Sequence, residues 1–136
     1  MENSKPSEEL AQFMFKTLDL AVFYIKDGVE PPTLFTDDKI AMRFKGKDSV
    51  KEVEAAKKYV AQLPDTSQMY AVVYDGYVTL DDKKQDAIML EVGERGTDLG
   101  AVFGQRYQPK ETVPEGFKLI GNPGYLGSTQ NLFNGS

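Results

Sequence analysis

Six side chains in one stretch of this sequence have the types to do chemistry: Tyr74, Asp75, Asp86, Glu91, Gln105 and Arg106. Carboxylates serve as general acids or bases, an arginine clamps an anion, and a phenol or amide orients a ligand. Glu91 stands between Leu90 and Val92. A carboxylate buried there needs a hydrogen-bond partner, or its pKa rises. The Tyr74 hydroxyl and Arg106 are its expected partners. Thr79, Asp86 and Gln105 are expected in one row across three strands on the other face, with Asp75 on that same face beside Leu90. Such a row at the edge of an apolar surface either holds a small ligand or marks where the sheet meets solvent. No catalytic role is assigned to any of the six.

Spacing argues against the commoner site chemistries. Gly46-Lys47 resembles the end of a phosphate-binding loop, but Asp48 follows where Ser or Thr is required, and Ala41 stands at the upstream glycine position. Gly93-Glu94-Arg95-Gly96 lacks the dinucleotide fingerprint, and its acid repels phosphate. Asp81-Asp82-Lys83-Lys84-Gln85-Asp86 carries two lysines inside a would-be calcium loop and Asp86 where its glycine belongs. Asp86 and Glu91 are an odd number of residues apart, so on one strand they face opposite sides and do not share an ion. No metal and no cofactor is expected.

The residue types point the same way. The chain has no histidine and no cysteine. Imidazole bases, thiolate nucleophiles, disulfides and thiolate or imidazole metal sites are therefore excluded. Formal net charge is −5. Residues 70–100 hold seven acids against three bases, so most of the excess sits there. Nucleic-acid binding is disfavoured, because phosphate needs the opposite sign. No apolar run is long enough to span a membrane, and the polar, acidic start MENSKPSEEL is unlike a secretory leader. The expected location is the cytoplasm.

Residues 70–107 must position the six side chains. The stretch is rich in aromatic and β-branched residues and is broken at Asp81-Asp82-Lys83-Lys84 and Glu94-Arg95-Gly96-Thr97. It is expected to form a three-strand antiparallel meander. Turns of four residues pair Leu80 with Gln85, Val78 with Ala87, Tyr74 with Glu91, and then Val92 with Leu99 and Leu90 with Ala101. Alternation puts Val73, Tyr77, Ile88, Leu90, Val92, Leu99, Ala101 and Phe103 on one face. It puts Tyr70, Val72, Tyr74, Val78, Met89 and Val102 on the other, with Gly100 and Gly104 between them. Both faces are apolar. Helices are expected on one, and a curled sheet or a second subunit on the other.

Two helices flank this core. Ser7-Glu8-Glu9 is a capped start, and helical spacing runs through Leu10, Phe13, Met14, Thr17 and Leu18, giving a helix over about 7–20. Residues 21–25 (AVFYI) read as a strand, with continuation of the helix as the alternative. Residues 33–36 and 40–44 read as short strands around Asp37-Asp38. A second helix over 49–63 has capping-box spacing at Ser49 and Glu52 and an apolar stripe of Val50, Val53, Ala56, Val60 and Leu63. A last short strand falls at 117–120. Residues 1–6 are polar, and a frayed tail is expected over 128–136.

The expectation is one α+β domain with a single antiparallel sheet packed by two helices. The leading functional expectation is a non-catalytic, acidic protein that works through protein contact. That contact includes self-association as a homodimer, and one version is an inhibitor or immunity-type protein whose acidic face covers a basic cleft. The competing expectation is a small-molecule binder or carboxylate-based enzyme with a pocket on a sheet face.

Overall fold

Ser7 starts the first helix with its hydroxyl and its backbone amide. Its Oγ accepts from the Leu10 amide at 3.0 Å and donates to Glu94 Oε1 at 3.0 Å, while its own amide donates to Glu94 Oε2 at 3.2 Å. The cap and the carboxylate both favour the positive end of the helix dipole. The computed structural model describes residues 7–26, 33–37, 39–44, 49–108 and 118–134. The polar residues 1–6 and the end of the tail lie outside them.

The helix so started, α1, runs over Glu8–Lys26. Residues 21–25 are therefore helix rather than strand. The reason is the stripe of Leu10, Met14, Thr17 and Leu18, which Ala21 continues at full burial, with Val22 and Tyr24 packed partly against the same core. β-Branched and aromatic residues cost only about 0.5 kcal/mol each in a helix, less than this burial returns.

The short strands β1 (Thr33–Asp37) and β2 (Ala41–Phe44) form a hairpin, and β1 pairs with the meander. Helix α2 spans Ser49–Ala61. Its last turn tightens, with Gln62 and Leu63 amides donating to Tyr59 and Val60 carbonyls, and Pro64 follows. Ala56 and Val60 are fully buried, Val53 and Leu63 partly, and Val50 stands in solvent outside the stripe. Glu52 ties α2 to β1: its Oε1 accepts from Thr33 Oγ1 at 2.9 Å.

The meander is β3 (Met69–Leu80), β4 (Lys83–Glu94) and β5 (Leu99–Gln108). After it come the two-residue β6 (Lys118–Leu119), β7 (Gly124–Gln130) and a 3₁₀ turn, Leu132–Asn134. Strand order is β2-β1-β3-β4-β5, and β7 and β6 share the outer edge of β5. This is the α+β class expected from the sequence, with an antiparallel sheet and two helices. Among the described residues, no helix is long and apolar enough to cross a membrane.

The register differs from the expected one by two residues in both hairpins. Leu80 pairs with Lys83, Val78 with Gln85 and Tyr74 with Met89; Val92 pairs with Ala101 and Leu90 with Phe103. The first turn needs only Asp81 and Asp82, at φ of 51° and 64°. Aspartate tolerates this left-handed region, and a two-residue turn with both φ positive matches strand twist. The second turn is longer because Asn131 fills it. Asn131 Nδ2 donates to the carbonyls of Glu94 and Thr97 and to Thr97 Oγ1. An even shift keeps every side chain on its face, so the expected sorting holds.

The two helices do not share a face, which corrects the expectation. Helix α1 covers Leu34, Ala71, Val73, Ile88, Leu90, Val92 and Phe103. Helix α2 and the 3₁₀ turn cover Phe35, Tyr70 and Val72 on the other side. Beyond α2 the second face covers itself. Tyr70 lies flat across Gly93 and Gly100, Met89 lies across Gly76, and Val78, Met89 and Leu126 close over Gly104. Half-buried Val78 and Met89 over their glycines make a thin layer where no helix reaches.

Residues 128–134 carry defined structure, contrary to the frayed tail expected there. Asn131 is fully buried, the Leu132 amide donates to Tyr70 Oη at 3.1 Å, and the Phe133 ring meets Tyr70 edge-on at 5.0 Å. The Arg95 guanidinium stacks over the other ring of that pair, 4.0 Å from the Phe133 centroid.

Candidate functional site

Glu91 is the most buried acid among the six sequence candidates, and strand geometry decides what surrounds it. On β4 it pairs with Val72 of β3, which leaves Tyr74 one row away on the same face. A tyrosine is long enough to cross that diagonal, and its hydroxyl donates to Glu91 Oε2 at 2.6 Å. From α2, Lys57 brings its ammonium within 3.2 Å of Oε1. Both carboxylate oxygens are thus engaged, and the charge is matched. Tyr74 was an expected partner. Arg106 was the other, and it lies elsewhere: it pairs with Ala87 and donates from Nη1 to Gln85 Oε1 at 3.2 Å.

The electrostatics make Tyr74 a fixed donor. Its pKa is raised far above the ordinary tyrosine value, first by burial, then by its hydrogen bond to Glu91 and by that carboxylate's charge. Tyr70 is pushed up to about 12, mainly by burial, with the Glu91 charge adding and the Leu132 amide opposing. Neither phenol is poised to lose a proton at neutral pH. The cluster joins Lys57 of α2 to Glu91 and Tyr74 of the sheet.

Asp75 and Gln105 are tethers too. Asp75 lies across Ile88 from Gln105, in one row, and Asp75 Oδ1 accepts from the Tyr107 hydroxyl at 2.8 Å. Gln105 is buried, and its amide donates to the carbonyls of Arg106, Ile120 and Gly121. It fastens the segment that leads to β7. The expected row of Thr79, Asp86 and Gln105 does not form. Asp86 is exposed opposite Tyr77, Thr79 pairs with Lys84, and Gln105 pairs with Ile88. The expected neighbour of Asp75, Leu90, is replaced by Ile88 for the same reason, the two-residue register shift. Among the described residues, no group of three or more acids is close enough to hold a metal ion.

Open clefts lie among the described residues. One of about 350 Å³ lies beside the Glu91 cluster and is lined by Val50, Val53, Glu54, Lys57, Tyr74 and Asp75. A larger one of about 560 Å³ lies between α1 and the β1–β2 hairpin. Phe13, Leu20, Ile40 and Met69 line it, with Lys16 and Lys39 at the rim. At its base Thr17 Oγ1 and Thr36 Oγ1 share a hydrogen bond of 2.8 Å. Asp37 also lines it, but its Oδ1 accepts from the Lys39 and Ile40 amides and its Oδ2 from Ser67 Oγ. None of the six sequence candidates reaches this cleft.

Comparison with family models, with curated proteins and with solved structures brings no match to this chain. The site is therefore read from its own geometry. Sequence reasoning missed Lys57, Tyr107 and Asp37. Lys57 sits beside the buried Ala56 at the border of the α2 stripe, and that position was the available signal. It becomes informative only once α2 is known to cover the Glu91 face.

Proposed function

We propose that this chain is a non-catalytic cytoplasmic protein that works through protein contact, first of all contact between two copies of itself. The observation that carries the reading is at the β5–β7 margin of the sheet. Leu99, Tyr125 and Leu126 are 56%, 46% and 50% exposed there, on both faces of one edge. The helices and the glycine-floored layer cover the sheet's centre, so the place for a second subunit moves from a face to this margin. The satisfied state of Glu91, Asp75 and Gln105 supports the non-catalytic part, as does a chain without histidine or cysteine. Exposed apolar side chains along this margin supply surface that a protein partner would cover.

Sedimentation velocity over a range of concentrations tests the reading. The wild type is expected to dimerise, and the Leu99→Lys/Leu126→Lys variant to remain monomeric with an unchanged circular dichroism spectrum. A wild type that stays monomeric at the highest workable concentration overturns it.

The larger cleft favours a second reading, a small-molecule site. Its volume falls in the usual range for ligand pockets, and its lining is apolar with a few polar groups. A screen of amphipathic small molecules by thermal shift, repeated on Ile40→Glu, distinguishes it. This reading requires a stabilising ligand whose effect the variant loses.

A further inference from the structure

We propose that the cleft between α1 and the β1–β2 hairpin binds an amphipathic carboxylate, an apolar body with one anionic end. The inference rests on the small-molecule reading of that cleft above and names its ligand class. The cleft follows one stripe of α1. Gln12, Phe13, Lys16, Thr17 and Leu20 line it at helical spacing. From Glu9 to Leu20 this wall is about 16 Å long at the ordinary helical rise. An elongated slot suits an elongated ligand.

The opposite wall is fixed in advance. Asp37 Oδ1 accepts from the amides of Lys39 and Ile40, both at 2.8 Å, and the Asp37 amide donates to the Ile40 carbonyl at 3.0 Å. Its Oδ2 accepts from the buried Ser67 hydroxyl at 2.8 Å. This turn holds Ile40 at the mouth of the cleft, 46% exposed although it is apolar. A wall that is already ordered costs little further entropy on binding. Ile40, Phe13, Leu20 and Met69 give the apolar body its contacts.

The floor decides where the anionic end lies. Thr17 and Thr36 are both buried there. Thr17 Oγ1 donates to the Phe13 carbonyl at 3.1 Å, so Thr36 is the donor in the bond that joins the two hydroxyls. Each hydroxyl has one proton, and both are spent. The floor therefore has no side-chain hydrogen to give an anion, and the carboxylate belongs at the rim.

The rim supplies the matching charge. Lys16 stands on the helix wall and Lys39 on the hairpin wall, both exposed. Neither forms an ion pair with another described residue. Two acids, Glu9 and Asp37, also line the cleft. Both oxygens of Asp37 are taken by the three donors named above. Glu9 is about 10 Å along the helix from Lys16. A carboxylate between the lysines meets opposite charge, and an ammonium there meets like charge.

Decanoate, 1-decanol and decylamine share one chain and differ in head-group charge, so they test the proposal. Binding of each is measured by titration calorimetry at neutral pH to the wild type, Ile40→Glu and Lys16→Gln/Lys39→Gln. The wild type is expected to bind decanoate most tightly and decylamine least. Ile40→Glu is expected to lose decanoate. The lysine variant, altered only at exposed positions, is expected to keep its circular dichroism spectrum and its decanol affinity. Its decanoate affinity is expected to fall about tenfold. Decylamine binding as tightly as decanoate, or an unchanged decanoate affinity in the lysine variant, overturns the carboxylate class and leaves the small-molecule reading standing. If none of the three probes binds, the proposal falls, and the thermal-shift screen decides the small-molecule reading by itself.

Discussion

The Tyr74 hydroxyl reaches one row along the sheet to donate to the buried carboxylate of Glu91 at 2.6 Å. The bond matters because the other carboxylate oxygen is met by Lys57, whose side chain is 37% exposed. Tyr74→Phe removes a donor and leaves a buried charged acceptor short of a partner. The expected loss is about 1–3 kcal/mol in urea unfolding. Lys57→Met is expected to cost less than about 1 kcal/mol, since solvent screens a half-open ion pair. The double variant Tyr74→Phe/Glu91→Leu removes both partners and is expected to cost less than the sum of its single changes. A neutral Tyr74→Phe would mean that the Tyr74 hydroxyl is not needed to satisfy the buried Glu91 carboxylate.

The raised tyrosine pKa values set an alkaline limit to stability. Tyr70 and Tyr74 hold their protons more tightly in the folded chain than at the ordinary value of 10.0 that applies unfolded. Below that value both states are protonated and the contribution is fully present. As pH rises through it the unfolded chain ionises first, and the contribution is lost progressively. For Tyr70 the loss is complete near its folded value of about 12, and for Tyr74 it continues above that. The urea midpoint is expected to fall as pH crosses 10, and to fall less steeply in Tyr70→Phe and in Tyr74→Phe. Equal slopes in all three proteins would remove these phenols as the cause.

The glycine floor of the second face gives a graded prediction. A β-carbon at Gly93 would stand 2.5 Å from Tyr70 Cε2, on a ring already pinned by the Leu132 amide and Phe133. Gly93→Ala is expected to cost about 1–3 kcal/mol, because the ring has no alternative place. At Gly76 the obstacle is Met89 Cγ at 2.6 Å. That side chain is unbranched and only half-buried, so Gly76→Ala is expected to cost less than about 1 kcal/mol. Thermal unfolding of the two variants in parallel measures the difference, and equal costs would contradict the flat-lying arrangement.

What could be read from the sequence was local pattern. Ala56 and Val60 show the helical stripe of α2, and the alternation in 70–107 sorts residues onto two faces even though the register is off by two. The sorting survived because an even shift preserves the parity of a pleat. What could not be read depends on groups brought from far along the chain. Asn131 looks like a solvated tail residue until the carbonyls of Glu94 and Thr97 gather around its amide. Lys57 looks like a surface lysine until α2 settles over Glu91. Residues 21–25 have strand composition, yet Ala21 already belongs to the buried stripe begun at Leu10. The candidate site was half legible: Tyr74 and Glu91 meet, Arg106 lies opposite Ala87 instead, and Asp86 stands apart from Thr79 because a four-residue turn was assumed where two residues suffice.

That turn can be tested directly. Asp81 and Asp82 both hold left-handed backbone, at φ of 51° and 64°. For a side-chain-bearing residue this conformation costs about 1–2 kcal/mol, with aspartate and asparagine near the low end. Asn-Gly is the pair best suited to a two-residue turn of this hand. Asp81→Asn/Asp82→Gly is therefore expected to stabilise the chain by about 1 kcal/mol, and Asp82→Val, whose branched side chain resists positive φ, to destabilise it by at least as much. The Leu80–Lys83 pairing also places Lys84 over the Tyr77 ring, 4.4 Å from its centroid. Nuclear Overhauser contacts between these two side chains should persist in the Asn-Gly variant. A turn of four residues would give the glycine no special benefit and would pair Leu80 with Gln85, so an unchanged melting temperature with a Leu80–Gln85 contact would reject the register.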